Sequence, residues 1–154
     1  MLDLYGLGRG FPGNPQPAHL SGAEKAQAIE EAVFQDILAT VPNCRPDRRF
    51  IPYVQVHEFE ALLFSDPDAF ARGLGQQNLA GQLHAIRNAF ATPEDINDNP
   101  NTAPSKRVAN VCGSYRKVID GTLAAHQIGL DVMRRQCRHF DEWVNRLEAA
   151  APLP

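Results

Sequence analysis

The sequence predicts an α/β protein: a small sheet edge near the N-terminus, followed by a long helical remainder. Two short apolar runs carry the sheet. Met1 to Tyr5 and Phe50 to Val56 are bounded by Gly, Pro and charged residues, the pattern of buried strands. The helical part rests on apolar residues that recur at helical spacing from Ser65 onward, with start and stop residues between them. Residues 1–154 read as a single domain, divided into an α/β part over 1–64 and a mainly helical part over 65–154. Two strands alone make a marginal sheet, so the chain is expected to begin within a longer domain.

Taken in order, Met1 to Tyr5 is the tail of a buried strand, and Gly6 through Ser21 is an irregular loop rich in Gly and Pro. Ser21-Gly22-Ala23-Glu24 is a capping box that opens a helix to about Val41, with Ala26, Ile29, Val33, Ile37 and Val41 on one face. Pro42 to Arg49 reads as a loop, and Phe50 to Val56 as the second strand. Asp66-Pro67-Asp68 starts a short helix ending near Gly73, with Pro where a missing N–H is harmless. Another helix runs from Leu79 to Phe90. Thr92-Pro93-Glu94-Asp95 leads into a short turn ending at Asn99-Pro100. A helix is expected from Thr102 through Pro104 to Ile119, stopped at Asp120-Gly121, then two more around Thr122 to Arg135 and Phe140 to Ala150.

Bulk properties exclude some functions. The chain has 154 residues, 44% hydrophobic and 21% charged, in the range of globular proteins. A net charge of −3 gives no overall field for nucleic acid. Any such contact rests on local patches: Arg45, Arg48 and Arg49, or Arg134, Arg135 and Arg138. Solvated surface is the simpler reading of each. Cys44, Cys112 and Cys137 show no CxxC spacing, which argues against a zinc knuckle or a disulfide framework. No secretory signal pattern and no membrane-length apolar run is present, so a cytoplasmic location without a membrane is expected.

The most informative segment is Phe50 to Phe64, an apolar run that breaks into a helix carrying His57, Glu58 and Glu60. Strand ends hold side chains rigidly at an open edge, where metal and phosphate chemistry is often placed. Phe59, Leu62 and Leu63 belong to a core face, while His57 and Glu60, three residues apart, share another. The simple alternative is that acids in a first turn favour the helix dipole. The His-Glu pair is not a zinc-protease motif, because Ala61 stands where a second histidine is needed. Ser105-Lys106-Arg107 places two cations at a helix start, where the dipole disfavours them, which points to a bound anion or a carboxylate partner. His84, His126 and His139 stand singly and read as structural or surface residues. Trp143, Phe140 and Leu147 read as helical core.

Several blocks resemble one bacterial family. They are Leu2-Asp3-Leu4-Tyr5-Gly6-Leu7 with Phe11-Pro12-Gly13, His57-Glu58-Phe59-Glu60-Ala61-Leu62-Leu63-Phe64, Ile96-Asn97-Asp98, Thr102-Ala103-Pro104-Ser105-Lys106-Arg107 and Ile128-Gly129-Leu130. They are similar, in order and over nearly the whole chain, to the domain-of-unknown-function family 4276. Its members resemble the Toprim-type folds of the overcoming-lysogenization-defect nucleases. The resemblance implies a Toprim-like Rossmannoid sheet, only part of it present here. Relatives begin earlier, with a glutamate-bearing turn that this chain lacks, and Gly8 and Gly10 stand where relatives commonly carry Pro and Asp. A late start or a cloned fragment is the expectation that follows.

The resemblance also implies a chemistry: phosphodiester cleavage dependent on Mg2+ or Mn2+, in a bacterial phage-defence or DNA-processing system. Asp3 and Glu58 or Glu60 would be metal ligands. His57 would stand behind the ligands or touch phosphate, and Lys106 would stabilise developing negative charge. Ser105 and Arg107 would complete the phosphate contact. As a fragment the chain is expected to be inactive or incomplete, and to oligomerise through an apolar edge near Leu2 and Leu4. Two other readings compete: a non-catalytic binding or regulatory partner of an ATPase, and an inactive remnant.

Overall fold

Strand geometry is confined to two residues at each expected site. Leu2–Asp3 (β1) pairs in parallel with Val54–Gln55 (β2), with Leu2 opposite Val54 and Asp3 opposite Gln55. The structure is a computed structural model. It describes residues 2–17, 19–97 and 101–150, and for Leu2, Asp3 and Tyr5 the backbone alone. Asp98 and the Asn99-Pro100 turn end lie outside the described residues. Among the described residues this two-stranded pair is the whole sheet, so the expected Toprim-like sheet is not found. The causes are local. Leu4–Gly6 tightens into a 3-10 turn directly after β1. Phe50 is held by its N–H to the Pro46 carbonyl at 3.0 Å, and Pro52 has no N–H to give a ladder. The Val54 amide donates to the Glu30 carboxylate at 2.7 Å.

Ser21 opens helix α1 (Gly22–Thr40) with both halves of the expected capping box formed. It lies in the connection between the strands, where a parallel pair requires a crossover. The stretch read as loop holds a 3-10 turn at Pro42–Cys44 and one turn of helix, α2 (Pro46–Arg49). Residues 1–56 with 142–154 form one compact unit, and residues 57–141 form another. In the first unit Leu4, Ala26, Ile29, Val54 and Val56 make the core, with Leu7, Phe11 and Val33 packed against it. Gly13, at φ +74°, lets its loop press on α1, since a Cβ there would stand 2.8 Å from the Ala32 Cβ. Tyr53 stacks on Trp143 with ring centres 4.4 Å apart.

The second unit is helical, as the sequence predicts for that part. It holds α3 (Phe59–Leu63), α4 (Pro67–Gly73), α5 (Ala80–Arg87), α6 (Pro104–Val111), α7 (Lys117–Ile128) and α8 (Leu130–Gln136). Helix α9 (Arg138–Glu148) begins in it. Phe64, Phe70, Leu83, Ile96 and Val108 are fully buried, and Phe64 meets Phe70 edge-on at 5.5 Å. One expectation is corrected at Asp120-Gly121. The helix expected to end there stops at Val111, and α7 runs through both residues. Asp120 is a start signal, because its carboxylate accepts the Arg116 amide and guanidinium, each at 2.7 Å. Gly121 is a point of close approach, where a Cβ would stand 2.9 Å from the Tyr115 hydroxyl. The next expected helix is divided at Gly129, whose φ of +80° and ψ of 151° suit glycine. No helix among the described residues is long and apolar enough to cross a membrane.

Candidate functional site

Glu58 precedes the first residue of α3 in extended conformation, and its side chain is committed to another helix. One carboxylate oxygen accepts the Ser105 amide at 2.7 Å and the other accepts the Ser105 hydroxyl at 2.9 Å. Ala103, at the start of α6, provides no side-chain cap. Glu58 therefore satisfies an orphan N–H of that helix from a distant segment.

Glu60, in the first turn of α3, is wholly withdrawn from solvent at 0% exposure. Its Oε1 accepts the Tyr115 hydroxyl at 3.3 Å. Its Oε2 accepts no hydrogen bond, yet lies 3.2 Å from the Lys117 ammonium. The contact is therefore one of charge without hydrogen-bond alignment. The same ammonium stands 3.8 Å from a Glu58 oxygen. Burial, and then the charge of Glu60, raise the Tyr115 pKa, so this hydroxyl remains a donor. The first residue of α7 thus brings one cation to both acids.

His57 is buried, next to Glu58 in the chain. Lys106 is exposed on the first turn of α6. Arg107 donates from Nε to the Thr102 carbonyl at 2.8 Å, and its guanidinium lies 5.0 Å from the centre of the Phe90 ring. The Ser105 hydroxyl is the one that donates to Glu58. The Asp3 side chain lies outside the described residues. Sequence reasoning missed Lys117 and Tyr115. Their one signal is that acids buried near a helix start need a cation and a donor, and Tyr115-Arg116-Lys117 precedes a helix.

Among the described residues no group of three or more His, Cys, Asp or Glu side chains is placed to hold a metal. Two carboxylates still suit a hard cation, because magnesium and manganese take a few acidic oxygens and fill the rest with water and phosphate. The buried Glu60 Oε2 without a hydrogen bond fits such a role.

Two other groups in this unit have altered chemistry. Glu94 is buried and accepts the His139 and Phe140 amides at 3.1 and 3.0 Å, capping α9. Burial raises its pKa against the lowering effect of those bonds. Burial likewise pushes the Cys137 thiol up to about 12, with Ser65 Oγ at 3.4 Å. Of the two basic patches, Arg45, Arg48 and Arg49 are exposed, while Arg134 is tied to Asp141 at 2.6 Å. No curated protein and no solved structure matches the chain. One family model does, over residues 1–148, and with that span the chain belongs to the domain of unknown function DUF4276.

Proposed function

We propose that the chain carries carboxylate ligands of a divalent-metal site for phosphodiester hydrolysis, with Glu58 and Glu60 facing magnesium or manganese. The observation that carries this reading is the fully buried Glu60, whose Oε2 accepts no hydrogen bond and shares one ammonium with a second carboxylate. Withdrawing a carboxylate from water costs several kcal/mol unless it is well compensated, and a lysine side chain that is 58% exposed compensates it in part. When bound, the cation neutralises charge on the phosphate and activates water. Ser105 fixes the Glu58 rotamer, Tyr115 fixes Glu60, and His57 lies beside them in sequence. Lys106, exposed on the first turn of α6, is the residue for an approaching phosphate. The Toprim relationship, nucleic acid as substrate and a bacterial defence setting belong to the same reading.

The test is calorimetric titration of the chain with manganese, together with cleavage of DNA in its presence. Wild type should bind, and Glu60→Gln, checked for retained helicity, should bind at least about tenfold more weakly. A wild-type chain that takes up no manganese and cuts no DNA would remove the nuclease reading. The second reading, a non-catalytic partner of an ATPase, draws on Glu58, whose two oxygens are both already engaged by Ser105. It predicts that charge reversal at Glu58 and Glu60 leaves partner binding intact.

A further inference from the structure

We propose that Lys117 is the resident counter-cation of the Glu58–Glu60 pair, and that a divalent cation enters only by displacing it. This rests on the metal-site reading above and names the residue that regulates that site. The ammonium lies 3.2 Å from Glu60 and 3.8 Å from Glu58, so it occupies the space on which both carboxylates converge. A divalent ion on the same oxygens would sit within a few ångströms of a like charge, in a place where water screens poorly. One of the two must leave.

Three features decide that Lys117 leaves. Its side chain is 58% exposed on a flexible stem, so its ammonium can swing into water while the acids stay where Ser105 and Tyr115 hold them. It is the first residue of a twelve-residue helix, α7, where the positive end of the helix dipole repels a cation. The acids hold it there against that dipole. Once a metal neutralises the acids, dipole and metal push the ammonium the same way. The neighbouring cation cannot take its place, because Arg116 is bound to Asp120 at 2.7 Å. Lys117 thus sets a threshold for metal entry, and the N-terminal turn of α7 senses occupancy.

The experiment uses the full chain and manganese alone. Calorimetry compares wild type with Lys117→Met, and amine acetylation followed by mass spectrometry reads the reactivity of Lys117 in wild type with and without manganese. Lys117→Met should bind manganese about tenfold more tightly, as expected for two charges competing for one pocket. Its metal-free melting temperature should fall, and manganese should raise it by more than it raises that of wild type. In wild type, manganese should speed acetylation of Lys117 and leave Lys106 unchanged. If wild type binds manganese but Lys117→Met binds equally or more weakly, displacement is overturned and the metal site stands. Unchanged acetylation of Lys117 at saturating manganese overturns displacement too, and does so even if the variant fails to fold. Absence of manganese binding in both proteins overturns displacement together with the metal site.

Discussion

Ser105 donates twice to Glu58, from its amide and from its hydroxyl, and the two bonds can be separated by mutation. Ser105→Ala removes the hydroxyl bond to a charged acceptor and leaves the amide bond, so it should lower stability by about 1–2 kcal/mol. Urea unfolding checks this, and a change near zero would mean that the hydroxyl adds nothing to the cap. Lys106→Ala, on the same turn, removes an exposed cation from the positive end of a dipole. Stability should stay level or rise slightly, while DNA binding falls if Lys106 meets phosphate. A large loss of stability in that variant would place Lys106 in a buried ion pair. Part of this was legible in the sequence, because a helix start near Pro104 and the close spacing of Glu58 and Glu60 follow from local residues. The carboxylate that closes that helix start was not. Glu58 lies 47 positions from Ser105, and no periodicity reports which distant carboxylate a fold brings to a helix start.

Elements that begin with contacts three residues apart were the readable ones: Ser21 with Glu24, Asp66 with the Ala69 amide, Thr92 with Asp95. Each closes within a single turn, so the sequence contains the whole interaction. The strands were overestimated, since Pro52 and the Glu30 carboxylate limit β2 to two residues and only one of these is nearby in sequence. Asp120-Gly121 was misread because glycine has two uses, ending a helix and admitting a neighbour. Gly73 is of the second kind. A Cβ there would stand 2.4 Å from the Ala124 Cα, backbone that cannot turn aside. Gly73→Ala should therefore force α4 and α7 apart and cost about 1–3 kcal/mol, despite alanine's better helix propensity. Gly81, in α5, has nothing within 4 Å of its would-be Cβ, and Gly81→Ala should gain about 0.4–1 kcal/mol. Melting temperatures that shift the same way for both variants would contradict this contrast.

For the molecule as a whole, acid titration carries a sign that can be tested at Glu94. Burial raises its folded-state pKa above the ordinary 4.5, so the folded protein binds that proton more tightly than the unfolded chain does. The stability linked to this proton is complete below 4.5 and is lost as pH rises through the raised value. The stability of wild type relative to Glu94→Gln, taken from urea curves at several pH values, should fall as pH rises across that window. A relative stability that rises with pH would reverse the assignment. Glu58 and Glu94 also bear on how the molecule is assembled. They reach 47 and 45 positions along the chain to close the starts of α6 and α9. The start of α6 has no side-chain cap from Ala103, and both helices gain these hydrogen bonds only when remote chain has already arrived. Contacts between residues so far apart are slow to form and couple the parts they join. The amides of Ser105, His139 and Phe140 should then exchange with deuterium on the schedule of the helical unit as a whole, while the Ser21 start of α1, closed within one turn, can fray and re-form on its own.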